Sequence, residues 1–322
     1  MTDKRTRQEP KSAGARVALP RQKRFRYRVV CYLFILPNLA LFLLLTAFPV
    51  LFTAILSFFS WNGKDLDWAR FRFVGLDNFA EFLRSGDFWL YFSNTLFLML
   101  AIPVSILIHL VVAIVMNQKL KEMVAYRTLW FLPSVAGGVA ILLLWQWVFN
   151  PHAGMLNTLL RPFFELFGIS TPLWLQSETY GGAKFAFMIM GWWSSAGGMG
   201  MLLYLAALQG IPQGLYDAAE IDGAGWWSKL RHVTWPMVSP TTFFMFITGV
   251  IAGFQSGFIS AYVLTKGGPN GLTTTLSFYI YQQAYENWRM GYASAICWFL
   301  FACVLIFTII SWKVARRRVH YQ

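Results

Sequence analysis

Six stretches of this sequence contain no Asp, Glu, Lys or Arg: 29–63, 88–118, 128–160, 185–216, 232–265 and 290–312. A helix needs about 20 apolar residues to cross the hydrocarbon core of a bilayer, and helices of soluble domains are usually about half that long. Each stretch clears the mark. Charged residues make up only 13% of the chain, where a soluble domain carries about 25%. Such a sequence cannot cover a water-facing surface. The continuous apolar runs also exclude a β-barrel, whose strands are short and alternate in polarity. The expected fold is an all-α membrane protein with about six transmembrane helices, over 31–59, 90–116, 127–149, 183–208, 239–263 and 291–312. Pro37, Pro49 and Pro103 lie inside two of these spans, where each removes a backbone donor and kinks its helix.

Basic residues set the orientation. The first 28 residues hold ten Lys and Arg against Asp3 and Glu9, and Lys313, Arg316, Arg317 and Arg318 follow the last span with no acid. Both ends therefore read as cytoplasmic, which an even number of spans allows. Residues 1–28 are expected to be a disordered basic tail, 29–313 a single membrane domain and 314–322 a second cytoplasmic tail. The net charge of +13 does not point to nucleic acid, because the basic clusters flank membrane spans, where anionic lipid headgroups are the natural partner.

The loops carry more information than the spans. Asp77 or Asn78 suits the cap of a short helix placing Phe79, Phe82 and Leu83 on one face, expected to lie on the outer membrane interface. Residues 210–240 form a cytoplasmic loop too elaborate for a connection. Pro212 suits a helix start, Asp217-Ala218-Ala219-Glu220 a short helix with small side chains, and Asp222-Gly223 a turn. A second helix is expected from Trp226, ended or kinked by Pro236. The result is a compact helix–turn–helix on the inner face, serving either its own chain or a docking partner. On the outer side, Lys266-Gly267-Gly268-Pro269-Asn270-Gly271 forces a tight irregular turn.

Catalytic chemistry finds no support. The three cysteines and four histidines are scattered without metal-ligand spacing, and no nucleotide-binding or dinucleotide motif occurs. Polar and aromatic residues embedded in spans are candidates for a solute path: Asn94, Trp192, Trp193, Ser194, Ser195, Phe254, Gln255 and Ser256. Against each stands an ordinary role in helix packing or interface anchoring.

At the loop 210–240 the sequence resembles a known family. Asp217-Ala218-Ala219, Ile221-Asp222-Gly223-Ala224, Thr234-Trp235-Pro236 and Pro240 resemble the cytoplasmic EAA loop of the permease subunits of binding-protein-dependent ABC importers, in their carbohydrate-uptake branch, which includes the maltose and glycerol-phosphate systems. Asp217 stands where the family usually has glutamate. Phe73-Val74-Gly75-Leu76-Asp77-Asn78-Phe79, Thr265-Lys266-Gly267-Gly268-Pro269 and the segment Asn287 to Ala295 resemble other family segments, so the likeness runs from about residue 30 to 315.

The resemblance implies the type I importer permease fold in a bacterial or archaeal plasma (inner) membrane. It implies a second permease subunit, two ATPase subunits and an extracytoplasmic solute-binding protein as partners. ATP and Mg would be bound by the ATPases and no cofactor by this chain, which is therefore not an enzyme. Asp217, Ala218, Ala219, Asp222, Gly223, Ala224 and Pro236 would couple to the ATPase, and the chain would form half of a path for a sugar or related polar solute. The competing reading is a stand-alone secondary transporter, which wants an ion-coupling site and paired repeats; no carboxylate lies within the predicted spans.

Overall fold

The computed structural model describes residues 21–64, 71–118, 121–135, 137–179 and 181–315. The chain divides into two compact units, Met1–Thr53 and Ala54–Gln322.

The first unit is helical. Helix α1 (Arg21–Phe42) passes through a π-helical turn, Leu43–Ala47, into α2 (Phe48–Leu56), which continues into the second unit. Residues 21–28 of the tail expected to be disordered are thus helical; the rest of that tail lies outside the described residues. Once an apolar helix is nucleated, each added residue costs little, and Arg, Gln and Lys are good helix formers. Pro49 follows the π turn closely. Its ring crowds the carbonyl four residues back, at Leu45, and the widened turn gives that carbonyl room.

The second unit opens with a two-residue ladder, β1 (Phe59–Ser60) against β2 (Arg72–Phe73), antiparallel with Phe59 opposite Phe73. Helices α3 (Asp77–Arg84), α4 (Gly86–Met99) and α5 (Ala101–Met116) follow, with the α4–α5 interruption at Leu100. Pro103 explains that interruption, since it cannot donate to Met99. The amphipathic α3 packs one face against the bundle. Phe82 is fully buried among Phe88, Tyr292 and Phe299, and Arg289 grips Glu81 with bonds of 2.6 and 2.7 Å.

The span predicted over 127–149 is two helices, α6 (Met123–Val135) and α7 (Val139–Val148). Gly138 separates them at φ 80°, a conformation that side-chain-bearing residues avoid. Beyond α7, helix α8 (Met155–Leu166) lies between the spans predicted over 127–149 and 183–208. The span predicted over 183–208 is also broken, into α9 (Gly182–Ala196) and α10 (Met199–Gln209). Gly197 sits against the Trp130 carbonyl, with no room for a Cβ, and the Trp130 indole donates to the Ala196 carbonyl over 2.6 Å. That bond satisfies a helix-end acceptor that apolar surroundings would leave without a partner.

Next come α11 (Gln213–Ile221), α12 (Trp226–Lys229), a π turn Leu230–Thr234, and α13 (Trp235–Gln255). Pro236 does not end the helix begun at Trp226. The π turn precedes it just as one precedes Pro49, and the helical path runs on. Ser256 and Gly257 then break the chain before α14 (Phe258–Ser260), which merges into a π turn ending at Thr265. Helix α15 (Leu276–Tyr281) and a further π turn lead to α16 (Met290–Ala315), so 316–322 of the second tail lie outside the described residues. Among the described residues, four helical runs are long and apolar enough to cross a membrane: Val29–Leu56, Gly86–Met116, Trp226–Thr265 and Met290–Lys313.

Three apolar clusters hold the second unit. One joins α5, α10 and α13 around Leu110, Tyr204 and Val238. A second gathers α7, α9 and α15 around Phe149, Phe187 and Phe278. The third packs α3, α4, α15 and α16 around Phe82, Leu276 and Ile296.

Candidate functional site

The loop 210–240 folds as a braced hairpin. Helix α11 starts after Pro212 and ends in a capped turn. The Asp222 amide donates to the Ala218 carbonyl, Gly223 to Glu220 and Ala224 to Ala219. Gly223 takes φ 75°, which only glycine adopts without strain. Lys229 on α12 reaches back to Glu220 over 3.0 Å, and the Tyr216 hydroxyl meets that of Thr234 at 3.0 Å. Tyr216 packs onto the α5–α10–α13 cluster, and Ile211 is buried beside it.

The bracing decides which side chains face outward. Tyr216 and Ala219, one turn apart, lie half-buried on the inner side of α11. Asp217, Ala218, Ile221 and Asp222 are exposed. Ile221 is 87% exposed and Trp227 73%, with Trp226 beside it in an edge-to-face pair. Gly223 is exposed at the tip and Ala224 half-buried behind it. Pro236 is exposed at the start of α13. The expected coupling residues thus share one hairpin, but Ala219 faces its own scaffold. Ile221 and Trp227 are the hairpin's most exposed apolar side chains.

The second feature is a cavity of about 480 Å³ between α4, α5, α7, α9 and α13. Ser194, Ser195 and Ser256 of the expected path line it. Ser105, His109 and Ser260 complete its polar lining, and Trp145 gives it an aromatic wall. The helix break at Ser256 and Gly257 opens onto it. Irregular backbone inside an apolar bundle is tolerated where it borders a cavity of this kind.

Residues 79–320 match the family of the binding-protein-dependent transport system inner membrane component. The chain belongs to this family. It is 35% identical to the probable ABC transporter permease protein YesP of Bacillus subtilis (strain 168), over 90% of this chain and 92% of that one. It is 32% identical to the trehalose/maltose transport system permease protein MalF of Thermococcus litoralis, over 92% and 96% of the two chains. A bacterial ABC transporter involved in the import of the acidic polysaccharide alginate shares the fold, with a TM-score of 0.77 over 93% of this chain and 99% of that one at 22% identity.

Within this inner membrane component, the other expected path residues stand outside the cavity. Asn94 is fully buried and fully employed. Its amide nitrogen donates to the Gly271 and Thr274 carbonyls, both at 2.9 Å, and its oxygen accepts from Lys184 Nζ at 2.7 Å. The neighbouring Thr95 hydroxyl accepts the Leu276 amide at 2.9 Å. Asn94 and Thr95 therefore hold the end of the glycine-rich turn. Trp192 donates to the Ala101 carbonyl at 3.2 Å, and Trp193 lies edge-to-face with Trp145. Phe254 is buried, and Gln255, the last residue of α13, is exposed. His109 fits no metal or catalytic spacing, so motif patterns do not point to it. The usable signal was a histidine one helical turn beyond Ser105 inside a charge-free run.

Proposed function

We propose that this chain is a permease subunit of an ATP-driven importer and forms half of the path for a sugar or related polar solute. An extracytoplasmic binding protein delivers the solute, and a second permease completes the path. Two ATPase subunits bind ATP and Mg at the cytoplasmic face, and the hairpin of this chain's loop 210–240 docks on one of them. In this reading both chain ends and the hairpin lie in the cytoplasm and the turn 265–271 outside, as the basic residues flanking the spans favour.

The observation that carries this reading is the hairpin. It is braced from within by Glu220–Lys229 and Tyr216–Thr234, yet leaves Ile221 and Trp227 facing outward. Exposed apolar side chains on a rigid polar-rimmed element suit a partner groove. Force applied there has a direct route inward, because α12, the π turn and α13 run on as one helical path whose far half lines the cavity. The family membership and the sugar-permease name of the MalF relative support the cargo class.

The test is to purify the chain from its native membrane in mild detergent, weigh the co-purifying chains and assay vanadate-sensitive ATP hydrolysis. An ATPase and a second permease with that activity are expected. An intact lone chain that transports solute in vesicles without ATP would establish a secondary transporter instead.

A further inference from the structure

The cavity ends in a floor built from three helices, and this inference rests on reading the cavity as the solute path. On α5 the lining face steps through Ala101, Ser105 and His109. One residue further along, Leu110 enters the dry cluster with Ala113, Tyr204 and Leu208. His109 therefore stands at the boundary between cavity and apolar core. Its ring is seated on Gly200 of α10, where an added Cβ would come within 2.7 Å of ring atoms, and a Cβ on Gly198 would lie 3.6 Å from Nε2. Met245 of α13 also reaches Gly200, where an added Cβ would come within 2.5 Å of its Cε. Gly200, just past the α9–α10 break, thus makes space for an imidazole that a leucine-rich bundle does not need.

The chemistry of that position is unusual. His109 Nδ1 is buried and has no hydrogen-bond partner among the described residues. Buried polar atoms without partners are rare, and polar residues inside membrane spans mark solute pathways. The remaining polar side-chain groups of the lining are the hydroxyls of Ser105, Ser194, Ser195, Ser256 and Ser260 and the indole N–H of Trp145. Among the described residues, no Asp, Glu, Lys or Arg lines the cavity. Lys184 is buried on Asn94 instead. Neutral donors and acceptors with an aromatic wall suit hydroxyl groups. A carboxylate or phosphate would arrive with no cation to replace its water.

We propose that His109 is the solute-contacting, specificity-determining residue at the cavity floor, and that the solute is an uncharged polyhydroxy compound. The imidazole exchanges hydrogen bonds with solute hydroxyls, and Gly200 holds the space that lets it do so.

The test uses the whole complex in proteoliposomes, with its partner permease, ATPases and binding protein. The probes are radiolabelled glucose, maltose, trehalose and lactose as uncharged solutes, and glycerol 3-phosphate and digalacturonate as anions. The readout is solute moved per ATP hydrolysed, for wild type, His109→Leu, His109→Ala and His109→Gln. Uptake of an uncharged probe is expected, with that ratio falling about tenfold in the Leu and Ala variants, the worth of roughly one hydrogen bond. His109→Gln should keep most of it, and the Ala variant carries the comparison if the Leu variant does not assemble. Equal ratios in all four proteins would overturn the contact. Uptake of an anionic probe alone would overturn the uncharged cargo. Uptake without ATP or partner chains would overturn the importer reading itself, a result separable from the other two.

Discussion

Asn94 shows how a polar residue in an apolar run can serve structure while looking like a binding residue. In sequence it is an amide inside a span, the pattern of a solute-path residue. Its acceptors, Gly271 and Thr274, lie 177 and 180 residues further on, a distance no local pattern encodes. Asn94→Ala removes all of its side-chain hydrogen bonds at once. Removing a partner from buried polar groups costs about 1–3 kcal/mol, so the variant should melt at lower temperature in detergent than wild type. A melting curve matching wild type would show that the clamp contributes nothing. Ser194, Ser195 and Ser256 line the cavity, each within a few residues of a helix break.

At the scale of elements, the hairpin was the most legible part of the chain. Its glycine, its helix lengths and its turn all follow from local chemistry. Which face looks outward was not legible, since that depends on Tyr216 finding Thr234 across the turn. Two substitutions separate the faces. Ile221→Asp should leave the chain folded and strip the co-purifying ATPase from it, by at least about tenfold if one buried aliphatic contact is lost. Ala219→Arg should instead strain the seating of α11, exposing the hairpin to limited proteolysis even in the isolated chain. Retention of the ATPase by the Ile221 variant would place the docking face elsewhere; protease resistance in the Ala219 variant would contradict the inner placement. The broken spans were only half visible. Gly137-Gly138 and Gly197-Gly198 were in plain sight, but glycine pairs also occur inside continuous membrane helices as close-packing sites. What decides at Gly197 is the Trp130 backbone lying against it, a tertiary contact.

For the whole molecule, hydropathy and charge carried the reading furthest, because a bilayer imposes length and apolarity on every crossing. Orientation rests on the basic residues and is open to direct measurement. In a background lacking Cys31, Cys297 and Cys303, a membrane-impermeant maleimide should label Lys266→Cys in intact spheroplasts and Gly225→Cys only after permeabilisation. The reverse pattern would invert the topology.

The helical path from Trp226 to Gln255 has a further consequence. At about 1.5 Å per residue it is a rod of about 45 Å with Trp227 on the hairpin at one end and Ser256 just past the other. Along such a rod, angular phase is inherited: each residue fixes the direction of all that follow. Removing one residue between Pro240 and Gly249 would turn the cavity face by about 100° relative to the hairpin. Substitutions along this stretch should be widely tolerated in transport assays while single-residue deletions are not. Here the count of residues is conveyed more strictly than their identity.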